Sequence, residues 1–246
     1  MTDPYPVDLT RRIEEGMPNS RIHPRSPLVW MCYTHGTTRF LTDETDAEGV
    51  APSFMNEQVL LCGHTGTHVD APTHIDPKSD RDVSNLDLEK LRGRGVVLDV
   101  REAVAPGEGL TVAELEAAEA GADTLQAGDI VLLRTGWAET YADSDPDMYL
   151  DEHPGITPEA AAWLTDTCDV DVLAIDAPNV EAHATANTMD VHNQFYRRNR
   201  DDPHLIIENA ANLSSLPDSV ADIVAYPPPV ERATGFPIRL VAHRRE

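Results

Sequence analysis

Apolar residues along the chain gather in short runs, separated by polar stretches rich in turn formers. Residues 95–100, 129–136, 170–176 and 204–208 are nearly continuous apolar runs of strand length, the pattern of strands buried on both faces. Between them lie two helix signals. Thr111-Val112-Ala113-Glu114 forms a capping box that opens an alanine-rich helix stopping at Gly121. Thr157 is a cap residue ahead of Pro158 at the first helical position, and that helix runs to about residue 167. Residues 220–226 and 237–243 read as the last two strands. Upstream, residues 6–18 predict a short strand and a turn, and residues 19–30 an ordered arm. Residues 29–33 and 37–41 predict a hairpin around His35-Gly36, residues 42–53 an acidic surface loop, and residues 57–62 a further strand. Polar residues 75–87 predict a loop or short turns. Strands alternating with helices indicate an α/β domain with a mixed sheet. No linker divides the chain, so residues 1–246 are expected to form one domain, with residues 1–35 as its N-terminal strand and arm.

One stretch departs from this alternation. Gly63-His64-Thr65-Gly66-Thr67-His68-Val69-Asp70-Ala71-Pro72-Thr73-His74 sets three histidines and a carboxylate within eleven positions. These are side chains that a borderline divalent ion such as zinc or manganese prefers. In one straight strand, His64 and His68 would stand about 13 Å apart, too far to share an ion easily. Gly66 and the β-branched Thr65, Thr67 and Val69 disfavour a helix. What remains is a bend at Gly66 that folds His64 over an extended His68-Val69-Asp70. A second turn at Pro72 then sets His74 nearby but off that line. Thr65 and Thr67 read as turn formers.

The charge balance narrows the partners. Against 19 basic residues stand 43 acidic ones, a formal net charge of −24. Lysine is confined to Lys78 and Lys90, and the acidic residues are spread over the whole chain. Nucleic acid and anionic membrane surfaces need the opposite sign and are not expected partners. Such self-repulsion is screened only at high salt, so the composition points to a high-salt cytoplasm. The polar start lacks the basic and apolar regions of a secretory signal, and three widely spaced cysteines suggest reduced thiols, so a cytoplasmic protein is expected.

A rigid ion site needs ligands from more than one segment. Downstream, His183, His192, His204, Asp176, Asp190 and Glu208 are candidates. Glu208 closes the apolar Leu205-Ile206-Ile207 run, where an ionised carboxylate is costly unless paired or metal-bound.

The run from His64 to His74 resembles the His-x-Gly-Thr-His-x-Asp-x-Pro-x-His signature of the cyclase family, whose members include bacterial kynurenine formamidase and isatin hydrolase. Further stretches agree and occur in the family's order: Asp8-Leu9-Thr10 with Gly16-Met17-Pro18, Arg134-Thr135-Gly136-Trp137, Ile175-Asp176-Ala177-Pro178-Asn179, Val191-His192 and Ile207-Glu208-Asn209. The resemblance implies a swivelling β/β/α-type fold and a homodimer or dimer-based oligomer. It implies one or two divalent ions, Zn2+ or Mn2+, held by His64, His68, Asp70, His192 and Glu208. It gives His74 the role of proton carrier. The implied activity is hydrolysis of a small amide, formamide or lactam, with N-formylkynurenine as the named substrate. An isatin-type lactam or lactone hydrolase is the alternative, and a non-catalytic metal-dependent binding protein is the alternative of another class.

Two departures bear on the substrate. Kynurenine formamidases carry an aromatic residue after Met-Pro, where this chain has Asn19-Ser20-Arg21-Ile22. Ser20, Trp30 and Trp137 are the expected substrate contacts in its place. The interval between His192 and Glu208 also holds the charged run from Arg197 to Asp202, either a surface insertion or an anion-attracting rim.

Overall fold

The structure is a computed structural model and describes residues 6–22, 27–37, 45, 52–199, 201–216 and 221–244. In chain order its strands are β1 (Val7–Asp8), β2 (Leu28–Tyr33), β3 (Asn56–Leu60), β4 (His68–Asp70), β5 (Arg92–Asp99), β6 (Gly109–Leu110), β7 (Ile130–Arg134), β8 (Gly155–Ile156), β9 (Val172–Ile175), β10 (Leu205–Glu208), β11 (Ala221–Val224), β12 (Gly235–Pro237) and β13 (Val241–Arg244). The helices are α1 (Val112–Glu119), α2 (Trp137–Tyr141), α3 (Pro146–Asp151), α4 (Pro158–Ala162) and α5 (Asp190–Asn193). Both α4 and α5 continue into a wider turn, Trp163–Thr167 and Gln194–Arg198.

Nine strands form one mixed sheet in the order β1-β13-β11-β5-β7-β9-β10-β4-β12. Its centre, β5-β7-β9-β10, is parallel. Those strands carry the apolar runs expected of strands covered on both faces, and Ile130, Leu132, Leu173, Ile175 and Ile207 are fully buried. The flanking strands are antiparallel, β11 on β5 and β4 on β10. The mixed α/β architecture is therefore the expected one, and the capping box at Thr111 and Glu114 is formed as the sequence predicts.

Long-range pairing is where expectation and structure part. Residues 29–33 do form a strand, but its partner is β3, in a ladder from Leu28↔Leu60 to Tyr33↔Asn56. Val29 opposite Val59 and Leu28 opposite Leu60 give that pairing matched apolar cross-strand contacts. Residues 38–41 of the expected hairpin and most of the acidic loop at 42–53 lie outside the described residues. The β2–β3 ribbon stands off the main sheet with its side chains exposed.

Arg197, Asp201 and Asp202 of the charged run contact neighbouring segments. Arg197 Nε donates to the Ile75 carbonyl at 2.9 Å, Arg81 Nη2 donates to the Asp201 carbonyl at 3.1 Å, and Asp202 pairs with Lys90 at 2.7 Å.

Candidate metal centre

Residues 63–74 change direction twice. Gly66 takes a φ of +61°, a left-handed conformation that glycine reaches without a Cβ clash, and the chain bends there before running out as β4. Pro72 then opens a single tight turn, Pro72–His74. The bend brings His64 Nδ1 to 2.8 Å from Asp70 Oδ1. The turn brings the His74 ring to 4.3 Å, centre to centre, from that of His64.

Strand register supplies the rest. In the β10–β4 pair Glu208 lies opposite His68, and in the β12–β4 pair Gly235 lies opposite Asp70. Cross-strand partners share a face, so His68, Asp70 and Glu208 converge while Val69 turns into the core. His68 Nε2 stands 3.4 Å from Asp70 Oδ1 and 3.5 Å from Glu208 Oε2. Helix α5 adds His192, whose Nε2 is 3.5 Å from Asp70 Oδ2 and 3.6 Å from Glu208 Oε1. A side chain on residue 235 would collide with this arrangement, since a Cβ there would fall 2.5 Å from His64 Cε1 and 2.9 Å from Asp70 Oδ1.

Among the described residues two sets of potential ligand atoms result, each within 4.8 Å: His64, Asp70 and His74, and His68, Asp70 and Glu208. Asp70 is common to both. Sequence geometry set His74 off the line of the other three, yet it stands inside the first set, so proximity alone does not divide ligands from a proton carrier.

Three imidazoles are held from behind. His68 Nδ1 donates to the Gly66 carbonyl at 2.8 Å, His64 Nε2 meets Thr234 Oγ1 at 3.0 Å, and His192 Nδ1 meets Glu181 Oε1 at 3.1 Å. In each ring the other nitrogen faces the carboxylates, the arrangement that fixes the tautomer of a metal-ligating histidine. His68 Nε2 and both carboxylate oxygens of Asp70 are buried without an aligned hydrogen bond. Buried polar atoms in that state are costly, and positive charge among them would offset that cost. The donor set therefore fits a divalent ion of the zinc or manganese kind.

Electrostatics agree. Burial alone would push the His68 and His192 pKa values down, but Asp70 and its neighbouring carboxylates outweigh it and raise both to about 10. Burial likewise opposes ionisation of Asp70, and the surrounding histidines overcome it and hold its pKa well below the ordinary value. The cluster thus demands positive charge, from protons or from a metal that displaces them. His74 differs: burial lowers its pKa, and the imidazoles of His64 and His192 add to that against the opposing pull of Asp70 and Glu208.

A cavity of about 280 Å³ opens onto the cluster, close to the small end of the range for small-molecule sites, roughly 300–1,000 Å³. Ser20, Arg21 and Ile22 of the N-terminal segment line it, with His153, His183 and Met189. Arg21 ties that segment to α3 by hydrogen bonds to Asp151 at 2.8 and 3.1 Å and by a bond to Asp147. Of the expected substrate contacts, Ser20 lines the cavity and the two tryptophans do not. Trp137 is buried in the core, its indole donating to the Tyr149 carbonyl at 3.1 Å. Trp30 sits 65% exposed on the β2–β3 ribbon.

Among the other candidates, His192 and Glu208 join the cluster and His183 lines the cavity. His204 instead donates from Nδ1 to the Val170 carbonyl at 2.6 Å. Asp176 accepts three hydrogen bonds from Thr135 and Gly136, so two of the stretches singled out in the sequence hold each other. None of Arg197, Arg198, Asp201 or Asp202 lines the cavity, which leaves the anion-rim role without support. Thr67 proves a stitch between segments, accepting from the Arg11 amide at 2.7 Å and donating to the Asn209 carbonyl. Sequence reasoning missed Thr234, Gly235 and Glu181. Their only signal is position, opposite or behind a ligand, and that becomes readable once the strands are paired.

The Cyclase family model matches residues 7–182. An isatin hydrolase from Roseibium aggregatum is 33% identical over 212 residues, covering 81% of this chain and 78% of its own length. A kynurenine formamidase from Bacillus mycoides is 28% identical over 178 residues, covering 72% of this chain and 75% of its own. Among solved structures, an isatin hydrolase bound to the product analogue thioisatinate matches with a TM-score of 0.81 at 26% identity, over 98% of this chain and 93% of that one.

Proposed function

This chain belongs to the Cyclase family, and from that premise we propose that it is a metal-dependent hydrolase of a small amide, formamide or lactam, one domain from end to end. The observation that carries this is the buried cluster at the cavity, with His68 Nε2 and both Asp70 oxygens lacking an aligned hydrogen bond. His64, His68, Asp70, His192 and Glu208 would hold one or two divalent ions, Zn2+ or Mn2+.

A bound ion would lower the pKa of a water toward about 7 and polarise a carbonyl. The chain's own groups do the rest. Asp70, between the two ligand sets, is the shared anchor. His74, whose burial favours the neutral ring, takes a proton from the attacking water. It returns the proton to the nitrogen as the C–N bond breaks, so that the amine leaves neutral. A formamide then yields amine and formate, and a lactam yields an amino carboxylate. Ser20, Arg21 and Ile22 line the cavity and would contact the substrate there.

N-formylkynurenine, giving kynurenine and formate, is the first substrate proposed. Lactam opening of the isatin type is the second, favoured by the higher identity and wider coverage of the isatin hydrolase, 33% over 81% of the chain against 28% over 72%. Hydrolysis of both compounds by the purified full chain, with products separated by chromatography, tests the proposal. Turnover of either supports a C–N hydrolase and names its class, and turnover of neither by metal-loaded protein would leave the binding-protein alternative.

The same proposal includes a homodimer in a saline cytoplasm. The β2–β3 ribbon exposes Leu28, Val29, Trp30, Met31, Val59 and Leu60, an apolar strip suited to a second copy. All three cysteines are free, as a reducing compartment favours. No helix among the described residues is long and apolar enough to cross a membrane.

A further inference from the structure

We infer that Glu181 is a positioning residue, which fixes the ring of His192 and strengthens it as a ligand; the inference rests on the metal-centre proposal above. Glu181 is buried, with 1% of its side chain exposed. One oxygen, Oε1, meets two groups of the same residue, the His192 backbone amide at 3.0 Å and Nδ1 of its ring at 3.1 Å. The backbone contact locks where α5 begins to present His192, and the ring contact locks how the imidazole is turned. With Nδ1–H donated to a carboxylate, Nε2 is left to face Asp70 and Glu208. A carboxylate behind an imidazole also raises the electron density at the opposite nitrogen, making it a better ligand. In the corresponding places His68 meets the Gly66 carbonyl and His64 the Thr234 hydroxyl. His192 is thus backed by a buried carboxylate.

The fold holds Glu181 itself in place. The Ile156 amide of β8 donates to the Val180 carbonyl at 2.9 Å, and the Glu181 amide donates to Asn179 Oδ1 at 2.7 Å. The Val180 amide donates to Glu208 Oε1 at 3.0 Å, which ties the same segment to a second member of the cluster. Upstream, the segment leaves β9 through Asp176, anchored on Thr135 and Gly136. Glu181 approaches the cluster from behind, since its contact is with Nδ1 while the carboxylates of Asp70 and Glu208 face Nε2.

The test titrates Co2+ into chelator-stripped full chain and reads the dissociation constant and the visible absorption spectrum. Glu181→Gln keeps an acceptor of the same shape and removes the charge. The expected result is a melting temperature of the metal-free protein within about 4 °C of wild type. Co2+ affinity is expected to fall about 10- to 100-fold, with an altered spectrum. In a His192→Ala background, Glu181→Gln is expected to add less than about a twofold further loss, because it acts through that ring. Wild-type affinity in Glu181→Gln would overturn the inference. So would an equal loss in the His192→Ala background, which would show that Glu181 does not act through that ring. Failure of wild-type protein to bind Co2+ would overturn the metal-centre proposal and this inference with it, an outcome distinct from the other two.

Discussion

Gly235 stands directly across the β12–β4 ladder from Asp70, and the space where its side chain would be is filled by His64. A Cβ there would come within 2.7 Å of His64 Nδ1, closer than packed atoms tolerate. Gly235→Ala is therefore expected to push His64 off Asp70, at an overpacking cost of about 1–3 kcal/mol. Metal content after dialysis, measured by plasma emission, should fall well below wild type while the far-ultraviolet circular dichroism is kept. Full metal content in Gly235→Ala would contradict the crowding.

Asp70 and His74 should separate by phenotype. Asp70→Asn removes the charge common to both ligand sets and is expected to abolish metal retention. His74→Ala is expected to keep metal and lose about 10²- to 10⁴-fold in kcat, the usual worth of a general acid–base. Loss of metal in His74→Ala would make His74 a ligand, as its place in the first set allows.

Burial lowers the His74 pKa from its ordinary value of 6.5, so the proton-accepting neutral ring dominates from below neutrality upward. A bound cation acts in the same direction. The acid limb of kcat/KM is accordingly expected to have its midpoint below pH 6.5, with activity rising as pH rises through it. A midpoint above pH 7 would contradict this role.

Asp176 carries a stability signature of its own. Burial raises its pKa to about 6 against the three hydrogen bonds it accepts, compared with 3.8 for an unperturbed aspartate. Between those values the folded protein holds more protons than the unfolded one, so this group makes stability fall as pH rises from about 4 to about 6, by roughly 3 kcal/mol at most. Urea unfolding across that window should show a pH slope of stability that is more positive for Asp176→Asn than for wild type. Equal slopes would mean that folding leaves the Asp176 pKa unshifted.

Much of this molecule was legible locally. The bend at Gly66, the turn at Pro72, the capping box at Thr111 and the buried parallel strands follow from short-range sterics and from apolar runs. What was not legible depends on pairing between distant segments. Nothing near residue 29 says that β2 would choose β3, and nothing near Gly235 says that it would lie opposite Asp70. Glu181 looks like any acidic residue in a very acidic chain until α5 sets His192 against it. Trp30 and Trp137 were attractive as substrate contacts because aromatic rings recognise rings, yet one is a core residue and the other stands on an outer ribbon.

The net charge of −24 predicts that salt stabilises the protein. Raising KCl from about 0.1 M to 1 M shortens the screening length from about 10 Å to 3 Å, and the melting temperature should climb across that range. A flat or falling melting temperature would argue against adaptation to a saline cytoplasm.

The central claim is that the His–Asp–Glu cluster works as a metal centre. The most direct measurement strips the full chain with a chelator, assays hydrolysis of N-formylkynurenine and of isatin, and repeats both assays after reloading with Zn2+ or Mn2+. The expected result is turnover of at least one substrate that vanishes on stripping and returns on reloading. Turnover that survives complete removal of metal would contradict the claim.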